Sequence, residues 1–522
     1  MNTRQLDILR KFSECIKCFE QLDIKDIEDL KGMYGVLTEK EQKEVVHVIN
    51  ESMMGVDRER FILLSIFADN NKTSYLLECM ADAAINAQFK LEDYYRIFVQ
   101  FRYAVFTLPK TEQEALNRLY LHIYDRCVAE LKPSWSYRNY ECRNKNRIMI
   151  ITDQLLGEQH SPTQIVINQY YYLKRAGYDV DILVVNESNI DMEGGLWGSK
   201  GRKMSCGVET EGFFHTSYFG YDVHFYNTFL DVKNLKKSMC GILDYVYDRN
   251  PLFVISVGGT SLVSDIASTF TTVIAKGLTK DIPITMTKYI IYHENMDMKN
   301  AYFNLNENIV PLNCDFNNVL EPPAEGDEDI ISDISEIKGF KVAIVGNRLD
   351  DEVDDVFLEF LDEQTKAIDD IIYIVVGNCK RLKSILLHKI SDKRVVFVGF
   401  VENLAGVMKA CDVYLNPPRA GGGFSAHIAL KNNIPIITLN DCDVYSWVGD
   451  RFVCNDLDDM GYTLKRYYED MDFRNRKIKE CGERCAEMEL SEEEGINNTK
   501  RFCEDVKAYI LADENEGNEP EQ

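Results

Sequence analysis

The chain is short of positive charge, of early proline and of long apolar runs, and each shortage excludes something. Its 59 Lys and Arg face 85 Asp and Glu, a net charge of -26 over 522 residues. Polyphosphate partners need clustered cations, so no nucleic-acid partner is expected, and broad adhesion to anionic lipid is disfavoured. No uninterrupted apolar stretch reaches the ~20 residues that a membrane helix requires, so no transmembrane segment is expected. Met1-Asn-Thr-Arg-Gln-Leu-Asp7 leads into an amphipathic helix rather than a signal-peptide core. The 15 cysteines lack metal-ligand spacing. Cys15 and Cys18 form one C-x-x-C without a second pair, and Cys481 and Cys485 sit a helical turn apart with no His or Cys cluster nearby. Buried thiols in a reducing cytosol fit this pattern better than zinc. A cytoplasmic protein without a metal site is expected.

What is present is an ordinary globular composition, 45% apolar and 28% charged. The length suits about three domains at roughly 150 residues each. Proline is absent until Pro109, and Leu6, Leu9, Phe12, Ile16 and Phe19 fall on one helical face. Residues 1–143 therefore read as all-helical. Such helices carry no chemistry themselves. A structural appendage and a docking surface for a protein partner both remain open.

From Asn144 the pattern alternates. Strands are predicted at Ile148–Thr152, Asp179–Val185, Phe253–Val257 and Tyr289–Tyr292, with a helix at Ile165–Arg175 closed by Gly177. The acidic stretch Glu321–Asp333 reads as a linker. Alternation restarts with strands at Lys341–Val345, Ile371–Val376, Arg394–Val398, Asp412–Leu415 and Ile434–Leu439. Strand–helix alternation implies parallel sheets covered on both faces. The expected architecture is α/β: two doubly wound, Rossmann-like domains over 144–333 and 334–511, facing a cleft. Residues 512–522 read as a disordered acidic tail.

The richest stretch is Val413-Tyr-Leu-Asn-Pro-Pro-Arg-Ala-Gly-Gly-Gly-Phe-Ser-Ala-His-Ile-Ala-Leu430. It reads as strand, glycine turn and helix. Gly421, Gly422 and Gly423 leave backbone N–H groups uncovered, directly before a helix end carrying partial positive charge. A diphosphate is the usual occupant of such a place. Gly421–Ala426 also satisfies G-x-G-x-x-A, with Asp441 and Asp443 at the spacing of a ribose-binding acid. Pro417–Ala420 separates strand from glycines, however, whereas a dinucleotide turn begins at the strand end.

In the first α/β domain, Ser161, Pro162 and Gln164 fit a capping box, which leaves His160 facing the cleft as a candidate proton acceptor. Gly258 and Gly259 follow a strand and would let a ligand approach, with Thr260 or Ser261 capping the next helix. Asp265, within that helix, is a second candidate base or simply a charge near its positive end. His293 follows another strand of the same domain. His427 would sit in the first turn behind the glycines, either near phosphate or packed between strand and helix. Asp350, Asp351, Asp354 and Asp355 read as an acidic surface run.

The order Gly346-Asn-Arg348, Val375-Val-Gly-Asn378, Val395-Val-Phe-Val-Gly-Phe400, Ala410-Cys-Asp-Val-Tyr-Leu-Asn-Pro417, triple glycine, Ile434-Pro-Ile-Ile-Thr-Leu439 resembles the donor domain of GT-B glycosyltransferases of the glycosyltransferase 4 type. The likeness covers roughly residues 340 to 460; the preceding domain matches only in general layout. It implies a nucleotide-sugar donor, a UDP-sugar favoured, with no cofactor and no obligatory metal. The donor would be held by Arg348 at the family's diphosphate-binding arginine, by Asn347, by Gly421, Gly422, Gly423 and Ser425 of the turn, and by Arg419, His427 and Asp443. The companion lysine is missing, since Leu349-Asp-Asp-Glu-Val353 is acidic; Lys380 or Arg381 is the expected substitute. The family's paired glutamates would fall on Ala420 and Ile428. The implied activity is sugar transfer to an acceptor hydroxyl on a protein or glycan, because a helical module before GT-B resembles some protein-modifying transferases. The alternative is a non-catalytic GT-B-like subunit or chaperone.

Overall fold

The computed structural model describes residues 2–17, 24–68, 74–105, 114–131, 135–190, 205–278, 283–292, 309–314, 325–419, 421–440 and 444–516. Helices come first: α1 (Thr3–Lys17), α2 (Ile24–Gly35), α3 (Glu39–Ser52), α4 (Asp57–Ser65), α5 (Ser74–Asn86), α6 (Leu91–Val105) and α7 (Glu114–Leu131). α3 opens on a capping box in which the Thr38 hydroxyl accepts from the Glu41 N–H and the Glu41 carboxylate from the Thr38 N–H. The helices bury Ile8, Phe12, Tyr34, Phe61 and Phe67; on α1 the buried face runs through Ile8 and Phe12, while Leu6, expected on it, is 48% exposed.

A first sheet follows, built from β1 (Asn144–Thr152), α8 (Ser161–Arg175), β2 (Asp179–Val184), β3 (Gly212–Tyr218), β4 (Tyr221–Asn227), α9 (Leu235–Arg249), β5 (Pro251–Val257), α10 (Leu262–Ala267), β6 (Val273–Lys276), β7 (Tyr289–Tyr292) and β8 (Val310–Asn313). Its order is β3-β4-β2-β1-β5-β6-β7-β8, parallel except for the β3–β4 hairpin. Every residue of β5 is buried, as a strand covered on both faces must be.

The second sheet takes in α11 (Glu328–Glu336), β9 (Phe340–Val345), α12 (Leu349–Glu352), α13 (Asp355–Ala367), β10 (Ile371–Val376), α14 (Lys380–Lys389), β11 (Val395–Gly399), α15 (Leu404–Lys409), β12 (Val413–Leu415), α16 (Gly423–Lys431), β13 (Ile436–Leu439), α17 (Val444–Val448) and β14 (Val453–Cys454). Its order is β11-β10-β9-β12-β13-β14, all parallel. Helices α18 (Leu457–Glu469), α19 (Met471–Met488) and α20 (Glu492–Glu516) close the chain. No described helix is long and apolar enough to cross a membrane.

Several elements differ from the sequence expectation. The β3–β4 hairpin was not anticipated, although Phe219 and Gly220 both take positive φ (52° and 76°) as a tight two-residue hairpin turn demands. Part of the expected linker is helix α11, whose Ile334 is buried in the second domain. The expected capping box at α8 does not form. His160 is the N-cap residue, and the Gln164 side chain donates to the Glu158 carbonyl instead. The last helix packs on the first sheet, not the second: Phe502, Cys503, Val506 and Ile510 share a core with Val166, Ile167 and Leu173 of α8. The expected disordered tail is helical as far as Glu516. Asp513 pairs with Lys288 at 2.6 Å and Glu514 accepts from the Tyr140 N–H at 2.7 Å.

The helical segment shares a continuous apolar core with the first sheet. Phe98, Leu116, Leu119 and Ile123 belong to the cluster that holds Met149, Ile151, Leu183, Val254 and Leu262. Polar groups lock the same junction. Arg102 of α6 reaches Asp153 at 3.2 Å, just past β1, and Glu187 at 3.8 Å, just past β2. The Tyr95 hydroxyl donates to the Glu187 carbonyl at 3.1 Å, and Glu187 Oε1 accepts from the Val263 N–H at 2.9 Å at the start of α10.

Burial pushes the Glu187 carboxyl up to about 7; Arg102 opposes the shift and Asp153 adds to it. A carboxyl raised in the folded state binds more protons folded than unfolded, so its contribution to stability falls as pH rises through that window. His160, pushed down to about 4 by burial, acts oppositely between its unfolded value and about 4. The Glu187→Gln variant should therefore gain melting temperature relative to wild type as pH rises from about 5 to 8. A pH-independent difference between the two melting curves would show that Glu187 does not titrate in the folded protein.

Candidate functional site

The second sheet lays β10 and β11 on one side of β9, then β12, β13 and β14 on the other. That reversal opens a crevice between the carboxyl ends of β9 and β12, where ligands of doubly wound sheets bind. Two loops fill it, Gly346–Arg348 after β9 and the proline–arginine–glycine segment after β12.

The floor is polar and fully engaged. Asn416 is buried, and its Oδ1 accepts from the Tyr414 hydroxyl at 3.1 Å and from Arg419 Nε at 3.0 Å. Arg419 Nη2 donates to the Val345 carbonyl at 2.5 Å, and its Nη1 meets Glu352 at 3.0 Å. One guanidinium thus ties the end of β9, the end of β12 and α12 together. Gly422 rides directly above, at φ +101°. A Cβ there would overlap Asn416 Oδ1 and lie 2.8 Å from Arg419 Nη2 and 2.9 Å from the Tyr414 hydroxyl. Glycine is required twice, by conformation and by space. Gly422 is the N-cap of α16, whose first N–H groups have no partner within their own helix.

Arg348 flanks this turn. Its side chain is 46% exposed and pairs with Glu352 at 2.9 Å. A Cβ built on Gly421 would stand 3.1 Å from Arg348 Nη2 and 3.6 Å from Glu352 Oε1. Asn347 is exposed beside it. The neighbouring strand ends are crowded: Gly377 takes φ +129°, donates to the Gly399 carbonyl at 2.7 Å, and has no room for a Cβ because the Gly346 carbonyl fills that space. Ser425 is half-buried in the first turn of α16 and Gly423 is buried.

Three expectations meet a different geometry, and one open alternative is narrowed. Arg419 does not face a ligand; its side chain is 4% exposed and its donors serve Val345, Asn416, Tyr414 and Glu352. His427 is 7% exposed and packs on Trp447 with ring centroids 4.9 Å apart, the core role rather than the phosphate role. Lys380 is exposed at the start of α14, but that helix end already holds an anion. The Asp350 carboxylate accepts from the N–H groups of Lys380, Arg381 and Leu382 at 2.8, 3.1 and 2.8 Å. The acidic run is accordingly no plain surface patch, since Asp350 caps α14 and Asp354 caps α13. Ile428, at one of the family's glutamate positions, is 7% exposed in the core. Asp443, His293 and Ala420 lie outside the described residues.

The first sheet reverses between β1 and β5, which brings the loops after those strands to one crevice. Gly258 is buried at φ +145° with open space where a Cβ would be, and Gly259 is half-buried. Ser261, not Thr260, caps α10. His160 is half-buried, with Nδ1 3.0 Å from the Thr163 hydroxyl, which itself accepts from the Leu156 N–H. Its depressed pKa leaves the imidazole neutral near pH 7. Next to it, Gln159 donates to the Glu402 carbonyl of the second domain at 2.5 Å. Asp265 is elsewhere. It is 1% exposed and accepts from the Tyr120 and Thr285 hydroxyls and, at 3.0 Å, from the Met286 N–H. Burial pushes it up to about 6 against those bonds. It joins α7 to the first sheet, so a role as base is not what its surroundings provide. Among the described residues, no three His, Cys, Asp or Glu stand close enough to hold a metal ion.

Sequence reasoning missed Glu352, which it read only as part of an acidic stretch, Tyr414, which it read as strand, and Asn416, which it quoted in a motif without a role. Contacts across 67 residues, such as Arg419 to Glu352, leave no mark in local sequence.

Residues 339–470 match the sequence profile of the family described as Glycosyl transferases group 1. No curated protein sequence matches the chain. Among solved structures, an O-GlcNAc transferase variant from Thermobaculum terrenum overlays 97% of this chain and 100% of its own, with TM-score 0.53 and 11% identity. HepE from Anabaena, in complex with UDP and glucose, overlays 69% of this chain and 99% of its own, with TM-score 0.46 and 10% identity. TarM from S. aureus overlays 69% and 99%, with TM-score 0.45 and 10% identity. At these identities the likeness is one of fold: two Rossmann-like domains of GT-B type behind a helical region.

Proposed function

We propose that the chain is a glycosyltransferase that takes a sugar from a nucleoside diphosphate donor, a UDP-sugar first among them, and passes it to an acceptor hydroxyl. One observation carries this reading: the Gly421–Gly423 turn opens α16 at the switch point of the second sheet with Arg348 beside it. Backbone N–H groups, a helix end and a guanidinium at one place suit a leaving diphosphate, whose growing charge they would stabilise. His160, neutral at pH 7 in the crevice of the first sheet, is the proton acceptor for the incoming hydroxyl. Gly258 and Gly259 line the acceptor side. The overlay with an O-GlcNAc transferase extends through the helical region, which makes a polypeptide hydroxyl the acceptor to test first. A glycan acceptor and docking of a protein partner on the helices belong to the same reading.

A second reading, a non-catalytic GT-B-like subunit, is favoured by Ile428 standing buried where a ribose-binding glutamate is expected. The two part on nucleotide and turnover. Under the transferase reading, UDP or a UDP-sugar at ~100 times its dissociation constant adds about 2.7 kcal/mol of stability. His160→Ala should keep that stabilisation and lose sugar transfer or donor hydrolysis. A protein indifferent to uridine, guanosine and adenosine diphosphates, or stabilised by NAD alone, defeats the proposal. Nucleotide binding without turnover on any acceptor supports the subunit.

A further inference from the structure

Glu352 stands where a nucleotide-binding crevice can least use it. Its Oε1 is 2.9 Å from Arg348 Nη2 and its Oε2 is 3.0 Å from Arg419 Nη1. The carboxylate is 12% exposed and bridges two guanidiniums beneath the glycine turn. Counted as charges, two arginines and one glutamate leave +1 at the cradle; a neutral residue at 352 would leave +2.

We infer that Glu352 is an internal competitor of the donor's diphosphate for Arg348, and that it sets how tightly the cradle holds nucleotide. The inference rests on the transferase reading of the glycine turn. The geometry says which arginine the ligand must win. Arg419 is spoken for, with its remaining donors on Val345, Asn416 and Tyr414 and its side chain 4% exposed. Arg348 is half in solvent and reaches the turn. Glu352 itself cannot retreat far. The short helix that carries it is pinned on both sides by Leu349, fully buried, and Val353, 3% exposed. A diphosphate that engages Arg348 therefore either displaces this ion pair or settles beside a fixed negative charge. Both weaken binding, because like charges at contact distance in a partly desolvated place are repulsive. The neighbouring Asp350 adds no such competition, since its carboxylate is committed to the start of α14.

The test is isothermal calorimetry of the full-length protein with UDP and with inorganic pyrophosphate, wild type against Glu352→Gln. The variant should bind both about tenfold more tightly, which corresponds to ~1.4 kcal/mol, and with a steeper loss of affinity in salt. A residue that merely braced the loop would give the opposite sign. In the Arg348→Gln background the same substitution should bring a clearly smaller gain, because the contested group is gone and only the like charge is removed. If Glu352→Gln fails to fold, Glu352→Asp, whose shorter side chain draws back from Arg348, should show a smaller gain. Unchanged or weaker affinity in a folded Glu352 variant, with wild type binding normally, overturns this inference alone. If neither form binds UDP or pyrophosphate, the transferase reading falls and this inference with it.

Discussion

Replacing Gly422 by alanine is expected to lower affinity for nucleoside diphosphates by at least about tenfold. Two costs act together. An L-residue held at positive φ gives up roughly 1–2 kcal/mol, and the new methyl would overlap Asn416 Oδ1 while crowding Arg419 and the Tyr414 hydroxyl. None of these can step aside cheaply. Asn416 is buried with its oxygen already shared, and Arg419 is fastened at four points. The turn would have to move, and the N–H groups at the start of α16 would move with it. Gly421→Ala is the milder comparison, because its Cβ would meet the end of the Arg348 side chain at 3.1 Å and Glu352 Oε1 at an ordinary 3.6 Å. Calorimetry with UDP on both variants checks the order of effects. Wild-type affinity in both variants would mean that this turn does not carry the ligand, and a greater loss in Gly421→Ala would mean that the Gly422 overlap is not what sets the affinity.

Arg102→Ala should be the most damaging single change in the helical region, costing about 3–5 kcal/mol, because it leaves two buried carboxylates without their cation. Asp153 and Glu187 have side chains 12% and 0% exposed, and Glu187 reaches water only by opening the junction between α6 and the ends of β1 and β2. Amide exchange should accelerate in α6, α7 and α10 together, since the Tyr95, Tyr120 and Val263 contacts close the same seam. Restoring charge balance with Arg102→Met, Asp153→Asn and Glu187→Gln should recover much of the loss, as apolar or neutral replacements of a buried ion group often do. A loss below about 1 kcal/mol for Arg102→Ala would show that the pair is solvated in solution.

The junction also bears on function. The loop after β1 that holds Asp153 continues to Gln159 and His160, so loosening the helices should disturb this loop before the glycine turn. The helices, for which appendage and docking surface were both open, share one apolar core with the sheet whose first loop carries His160.

Much of the architecture was legible along the chain. Strands such as Ile371–Val376 and Phe253–Val257 are continuous apolar runs because parallel central strands are buried on both faces. The glycine turn was legible for a related reason: backbone approached closely by a ligand or by its own floor must lack Cβ atoms, and three consecutive glycines announce that locally. Hairpin β3–β4 was equally local, a positive-φ pair between aromatic alternating segments, and went unread.

The amino-acid order by itself determined the helical, then twice doubly wound, layout and the location of one bare turn, because periodicity and glycine are properties of neighbours in sequence. Only the tertiary structure decided what each polar side chain does. Arg419 turned inward to the floor, His427 into the core and Asp265 into the helix junction, while Glu352 came to share Arg348. Burial and pairing of charge are settled by which distant segments meet, and desolvation makes those meetings decisive.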